Sequence, residues 1–269
     1  MTTPRKRVKG GQLSPLALLA FIPLALGAAG LAYLSQLPPP QVRLAGFATR
    51  LADRSPAQRH NARLAAQSLD GAVIGPGKTF SFNARVRSWS ADAGYVKAPV
   101  SFGGQLLPAF GGGVCQTSTT LYNAALLSGL KVTERHHHVF AAHYAAPGRD
   151  AAVAYPNIDL RLQNPYPFPI RLRAQAENDR LSVEVWGKQK PASHYTLESR
   201  VLSVETPSRI VRHTTNRNAR VSRSLGASGF HVVTYRRTLN QSGTETRRER
   251  LSDDSYPALP EVLRLTAEK

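Results

Sequence analysis

The sequence holds a single cysteine, Cys115, so no disulfide can close within the chain and a cysteine-rich zinc framework is excluded. Acidic residues are scarce as well. Only 17 Asp and Glu stand against 35 Lys and Arg, and the resulting charge of +18 points to polyanionic partners. Zinc-finger spacing and aromatic RNA-binding strand signatures are both missing, so no nucleic acid is expected among those partners. The chain also lacks the compositional extremes of disordered or multi-span membrane proteins. With 42% hydrophobic and 19% charged residues in 269, it can bury one large or two modest cores. No repeat of fixed period is evident.

Charge of either sign is absent from Gly10 to Gln41. Residues 13–34 form a nearly continuous apolar run, long enough for a bilayer, which takes about 20 residues. Arg5, Lys6, Arg7 and Lys9 precede it, so the positive-inside rule keeps residues 1–12 cytoplasmic and exports the remainder of the chain. The expectation is a single-pass signal-anchor over 13–34 in the cytoplasmic membrane, a Pro-rich linker over 35–43 and an extracytoplasmic body. A cleaved signal peptide is the rival reading, since Gly27, Ala28, Ala29 and Gly30 are small; a buried core helix is the third. Taking the four leader cations from +18 leaves +14 on the body, which suits anionic wall polymers, stem-peptide carboxylates or phospholipid headgroups.

Within the body, Ser55 to Leu69 predicts a helix with Ser55 as N-cap and Pro56 at its first position. From Ala72 to Val100 turn-rich and aromatic residues predict short strands and loops without a helix. Cys115 to Leu130 returns to helical spacing. Alternating segments then predict successive strands, and a hairpin is expected near Asn240 to Gly243. The expected fold class is α+β: over 44–187 a helix carrying Cys115 at its N-terminus packs on a largely antiparallel sheet, and a small basic all-β domain follows over 188–269.

Cys115 follows Gly111, Gly112 and Gly113 at a helix start. Glycines permit close backbone approach, and the helix N-terminus offers unpaired N–H groups and partial positive charge that favour a thiolate. The N–H groups around Val114 to Gln116, with Gln116, Thr117, Ser118 and Thr119, are candidate donors to an oxyanion. The plain alternative is a packed, inert thiol. A base is available downstream, where Arg135, His136, His137 and His138 are followed by His143. On a strand His136 and His138 share one face, making them the candidate base pair. Neither a metal nor a cofactor is expected, because no Asp, Glu or second Cys completes a ligand set of three or four, though a metal-binding or merely solvated histidine run is the alternative. Asp150 or Asp159 is the candidate to orient an imidazole.

Five segments, GPGKTFSFN (Gly75 to Asn83), GYVKAPV (Gly94 to Val100), GGGVCQTSTTLYNAALLSGL (Gly111 to Leu130), ERHHHV (Glu134 to Val139) and GRDAAV (Gly148 to Val153), together resemble the VanW domain in order over about Leu44 to Gly187. The family is named for an accessory protein of glycopeptide-resistance clusters, and some members are implicated as cysteine-dependent L,D-transpeptidases. The resemblance implies acyl transfer on peptidoglycan stem peptides, with Cys115 as nucleophile and His138, or less readily His136, moving the proton. Asp150 would complete the set; Gly112, Gly113, Val114, Gln116 and Thr117 would line the oxyanion, and Arg135 with Lys97 would meet stem carboxylates. Two positions depart from the family pattern: Val139 and Ala152 stand where hydroxyl residues are usual. A wall cysteine peptidase or amidase, a non-catalytic wall-binding protein and a charge-driven lipid tether are the rival readings.

Overall fold

The computed structural model describes residues 41–102, 105–214 and 222–266. Strand β1 (Val42–Arg50) turns into helix α1 (Pro56–Leu69). Ser55 Oγ accepts the Gln58 N–H at 3.2 Å and Gln58 Oε1 accepts the Ser55 N–H at 3.1 Å, a capping box that fixes where α1 begins. Strands β2 (Val73–Ile74) and β3 (Thr79–Ser81) lead to a short helix, α2 (Phe82–Val86). No helix was expected in this stretch. Ser81 Oγ accepts the Ala84 N–H at 3.0 Å, and Phe82 and Val86 are buried, which suffices for one turn amid turn-rich sequence.

The hairpin β4 (Lys97–Phe102) and β5 (Gln105–Phe110) delivers the chain to α3 (Val114–Leu127). Strands β6 (Lys131–Glu134), β7 (Arg161–Gln163), β8 (Ile170–Glu177) and β9 (Arg180–Gly187) follow. The rest is β10 (His194–Glu205), β11 (Arg209–Thr214), β12 (Ser222–Ser224), β13 (Gly229–Leu239), β14 (Glu245–Tyr256) and β15 (Glu261–Thr266). The turn at Asn240–Gly243 joins β13 to β14, with Gly243 at φ 83° and Asn240 Oδ1 accepting the Thr244 N–H at 2.9 Å.

The main sheet is antiparallel, in the order β1-β9-β8-β2. Strand β8 shows why it has one dry face: Ile170, Leu172, Ala174 and Ala176 are buried, while Arg171, Arg173, Gln175 and Glu177 alternate outward. Helices α1 and α3 pack against this sheet. Helix α3 is buried on nearly every side, from Val114 to Leu126 with Cys115 the exception. Removing a side chain such as Leu121 from this core costs about 2–5 kcal/mol. A second antiparallel sheet, β10-β13-β14, lies against the segment after β6, where Thr234 Oγ1 donates to Gly148 O at 3.2 Å. A third, β11-β15-β12, includes one parallel pair.

Two expectations are corrected. The fold class is not the expected α+β: the described chain is mostly β, 46% strand against 17% helix in three helices, spread over several small sheets. The two motif-bearing helices carry the clearest local signals, but the β-branched alternation after residue 130 outweighs them. Among the described residues no helix is long and apolar enough to cross a membrane, which overturns the single-pass localisation. The run at 13–34 on which that expectation rested lies outside the described residues.

Candidate active site

Gly113 is the N-cap of α3 with φ 109°, a left-handed geometry suited to glycine, and a Cβ there would stand 2.3 Å from Gln58 O. A Cβ on Gly112 would stand 2.7 Å from Pro99 O. These glycines therefore let the turn press against the start of α1 and against β4. Their tight fit is to the protein's own backbone, where close approach to a substrate was expected.

Cys115 occupies the first turn of α3 and its thiol donates to Val153 O at 3.4 Å. Burial pushes the thiol's pKa up, but hydrogen bonding and charge from His138 bring it below its ordinary value. His138 in turn binds Asp150 twice. Its backbone N–H donates to Asp150 Oδ2 at 2.7 Å, and its Nδ1 lies 2.6 Å from the same oxygen. Burial lowers the imidazole pKa; Asp150 and Cys115 outweigh it and carry the value up to about 10. Asp150 is 1% exposed, yet hydrogen bonds and charge from His138, the Arg135 charge and the Tyr256 hydroxyl overcome burial and hold it well below the usual carboxylate range. Cys115, His138 and Asp150 are thus brought together in the order thiol, imidazole, carboxylate.

Other expected residues stand elsewhere. His136, 46% exposed, pairs with Glu134 Oε1 at 3.1 Å, because β6 ends at Glu134 and the backbone beyond it no longer alternates as a strand. Asp159 accepts from Ser81 Oγ at 2.5 Å and from the Asn83 N–H at 2.8 Å, holding the start of α2. Gln116 points into β1, with Nε2 donating to Thr49 Oγ1 at 3.0 Å and Arg50 O at 2.8 Å. Thr117 faces Ala62 O at 3.4 Å. Ser118 Oγ donates to Ala151 O at 2.6 Å and Thr119 Oγ1 accepts the Ala151 N–H at 3.0 Å, so these hydroxyls clamp the Asp150 segment onto α3. Of the expected backbone donors, Val114 N–H bonds Gly111 O at 2.9 Å and Gln116 N–H bonds Gly113 O at 3.2 Å. The Cys115 N–H has no acceptor among the described residues. Arg135 is no free carboxylate receptor. It is 8% exposed and bonds both Asp254 oxygens, at 2.7 and 2.8 Å, and Asp150 Oδ1 at 3.0 Å. Lys97 lies over the Phe110 ring. Val139 is 65% exposed, so a hydroxyl there would face solvent.

Sequence reasoning missed four neighbours of this cluster. Tyr256 Oη donates to Asp150 Oδ1 at 2.6 Å, and Asp254 anchors Arg135; both come from β14, with nothing local to mark them. Tyr144 Oη lies 3.5 Å from His138 Nε2, and the Arg54 guanidinium carbon stands 4.8 Å from the centre of the Tyr144 ring. Among the described residues no group of three or more His, Cys, Asp or Glu is placed to hold a metal.

Residues 57–186 match the family described as VanW like protein. The uncharacterized protein YoaR of Bacillus subtilis (strain 168) is 34% identical over 169 residues, 62% of this chain and 54% of that protein. The vancomycin B-type resistance protein VanW of Enterococcus faecalis (strain ATCC 700802 / V583) is 29% identical over 143 residues, 51% of this chain and 52% of that protein. The chain therefore spans about half the length of these relatives. A solved IgA1 protease G5 domain is 18% identical, with 30% of this chain and 96% of that one covered, at a TM-score of 0.21. The HP0197-G5 structure, 16% identical over 26% of this chain and 96% of that one, gives 0.14. Scores this low assign no fold.

Proposed function

With residues 57–186 established as a VanW-like domain, we propose that this chain is a cell-wall-associated acyl transferase that uses Cys115 as its nucleophile on peptidoglycan stem peptides. The observation that supports this reading is the arrangement of Cys115 in the first turn of α3 and of His138, whose Nδ1 lies 2.6 Å from the buried Asp150 carboxylate, with the His138 charge drawing the thiol's pKa below its ordinary value. A lowered thiol beside a raised imidazole favours thiolate and imidazolium, the reactive form of a cysteine nucleophile.

The thiolate attacks the carbonyl carbon between an L-centre of the stem and its terminal D-residue, and the carbonyl electrons move onto oxygen. The Cys115 N–H, unclaimed at the positive end of α3, is the donor available to that oxyanion. When the C–N bond breaks, His138 gives its proton to the departing amine and a thioester remains on Cys115. A second stem's amine then attacks the thioester, His138 takes its proton, and the thiolate leaves. Asp150 holds the ring through Nδ1 in both halves of the cycle. The substrate class draws on the VanW relative, named as a vancomycin resistance protein, and on a charge of +18 that suits acidic wall components.

The test is intact-mass measurement of wild type and Cys115→Ala after incubation with muropeptides. A stem-sized adduct and a crosslinked product, both absent from the variant, are expected. Free acid in place of crosslinks would make the enzyme a hydrolase. No adduct with any stem, while sacculi are still bound, would replace the enzyme with a wall-binding protein.

A further inference from the structure

Arg54 is a cation near the triad that forms no ion pair among the described residues. It sits in the turn between β1 and α1, where its Nε donates to Gln116 Oε1 at 2.9 Å, the side chain next along from the nucleophile. Its guanidinium carbon stacks 4.8 Å from the centre of the Tyr144 ring, which also lies edge-on to His138 at 6.3 Å between ring centres. Its Nη2 is buried and has no hydrogen-bond partner, and among the described residues Arg54 forms no ion pair. Arg135, by contrast, is fully paired. Burial draws the Arg54 pKa below its ordinary value, so its charge is held at a cost that an incoming anion would relieve.

We infer that Arg54 is the carboxylate anchor of the substrate site, binding the free carboxylate of the residue that departs from the scissile amide. An orphaned guanidinium N–H next to a flat aromatic ring is preorganised for two-pronged carboxylate recognition. Tyr144 stands beside both groups, its ring centre 6.3 Å from that of His138 and 4.8 Å from the Arg54 guanidinium carbon, so the cation and the imidazole flank one aromatic surface. His143 packs edge-on to Tyr144 at 5.8 Å, and Asp53, next to Arg54 in the chain, is the carboxylate whose charge reaches both but which forms no ion pair with either. This assignment rests on the acyl-transfer reading for its substrate and deepens it by naming the group recognised: a terminal α-carboxylate one residue beyond the bond that breaks.

The experiment compares a stem tetrapeptide with a free C-terminal carboxylate and the same peptide as a C-terminal carboxamide, on the full chain as wild type, Arg54→Gln and Arg54→Lys. Thioester formation on Cys115 and equilibrium binding by calorimetry are both followed, with thermal unfolding as the folding control. Wild type is expected to favour the acid about ten- to hundredfold in both readouts, as deletion of a charged hydrogen bond predicts. Arg54→Gln loses that preference by slowing only on the acid, and Arg54→Lys retains part of it. Equal handling of acid and amide by wild type, or a variant that weakens both peptides alike, overturns the anchor. If no thioester forms but carboxylate-dependent binding disappears in Arg54→Gln, the anchor stands and the acyl-transfer reading falls.

Discussion

The two sides of His138 are built on opposite plans. On the Nδ1 side, Asp150 accepts from the His138 backbone and ring, Arg135 and Tyr256, and Arg135 passes on to Asp254, so the buried charges close on one another. On the Nε2 side stand a thiol, the Tyr144 hydroxyl at 3.5 Å and a guanidinium with one nitrogen unpartnered. A saturated network fixes one orientation and resists change; an unsaturated one leaves bonding capacity for a ligand. On the proposed reading, the first side positions the imidazole and the second receives the substrate.

The largest effect expected on the saturated side comes from Asp254→Ala. It removes both hydrogen bonds of Arg135 Nη1 and leaves Asp150 alone to balance the buried charge, which should cost about 3 kcal/mol, read as a lowered denaturant midpoint. A loss below about 1 kcal/mol would mean that this side is packed but not held by charge. Tyr256→Phe should cost less, about 1–3 kcal/mol, because Asp150 keeps three of its hydrogen bonds. The same variant should slow iodoacetamide alkylation of Cys115 only slightly if His138 stays oriented. Tyr144→Phe, on the unsaturated side, removes only a long contact and should change stability by less than about 1 kcal/mol.

The pH dependence sharpens the comparison further. His138, raised from 6.5 to about 10, contributes stability that is complete below 6.5 and lost as pH rises through about 10. Cys115, lowered from 9.0, contributes the reverse: its share is complete above 9.0 and lost as pH falls through its depressed folded value. Where the folded pair is thiolate and imidazolium and the unfolded pair is neutral, both states bind one proton. Stability should therefore be nearly level wherever that pair persists up to about 9.0, and fall as pH rises from there. In Cys115→Ser the offsetting proton is missing, so the decline should start near 6.5. Denaturant midpoints at pH 6, 8 and 10 decide this, and identical profiles for the two proteins would remove the ion pair.

Much of this was legible in the sequence where a local rule sets the outcome. The caps of α1 and the alternation of β8 follow from Ser55, Gln58 and the residues 170–177 themselves. Cys115 and His138 were legible by residue type and by the family resemblance. The choice between Asp150 and Asp159 was not, because both are buried and only their partners differ: an imidazole for one, the start of α2 for the other. Pairing His136 with His138 assumed a strand longer than β6 is. Asp254 on β14 carries no local signal, since nothing nearby announces a buried arginine more than a hundred residues earlier in the chain. The overall class was misjudged for a related reason: two helices with clear caps and spacing stand out in a sequence more than many short strands without them.

Strand β14 also sets a chronology for the thiol. A chain is made from its N-terminus, so Cys115, His138 and Asp150 are all synthesised well before Asp254 and Tyr256. Until β14 pairs with β13, Arg135 lacks its second carboxylate and Asp150 lacks a hydroxyl, and the imidazole is held by fewer bonds. The imidazole beside Cys115 is thus fully held only once the strand that carries Asp254 and Tyr256 is in place.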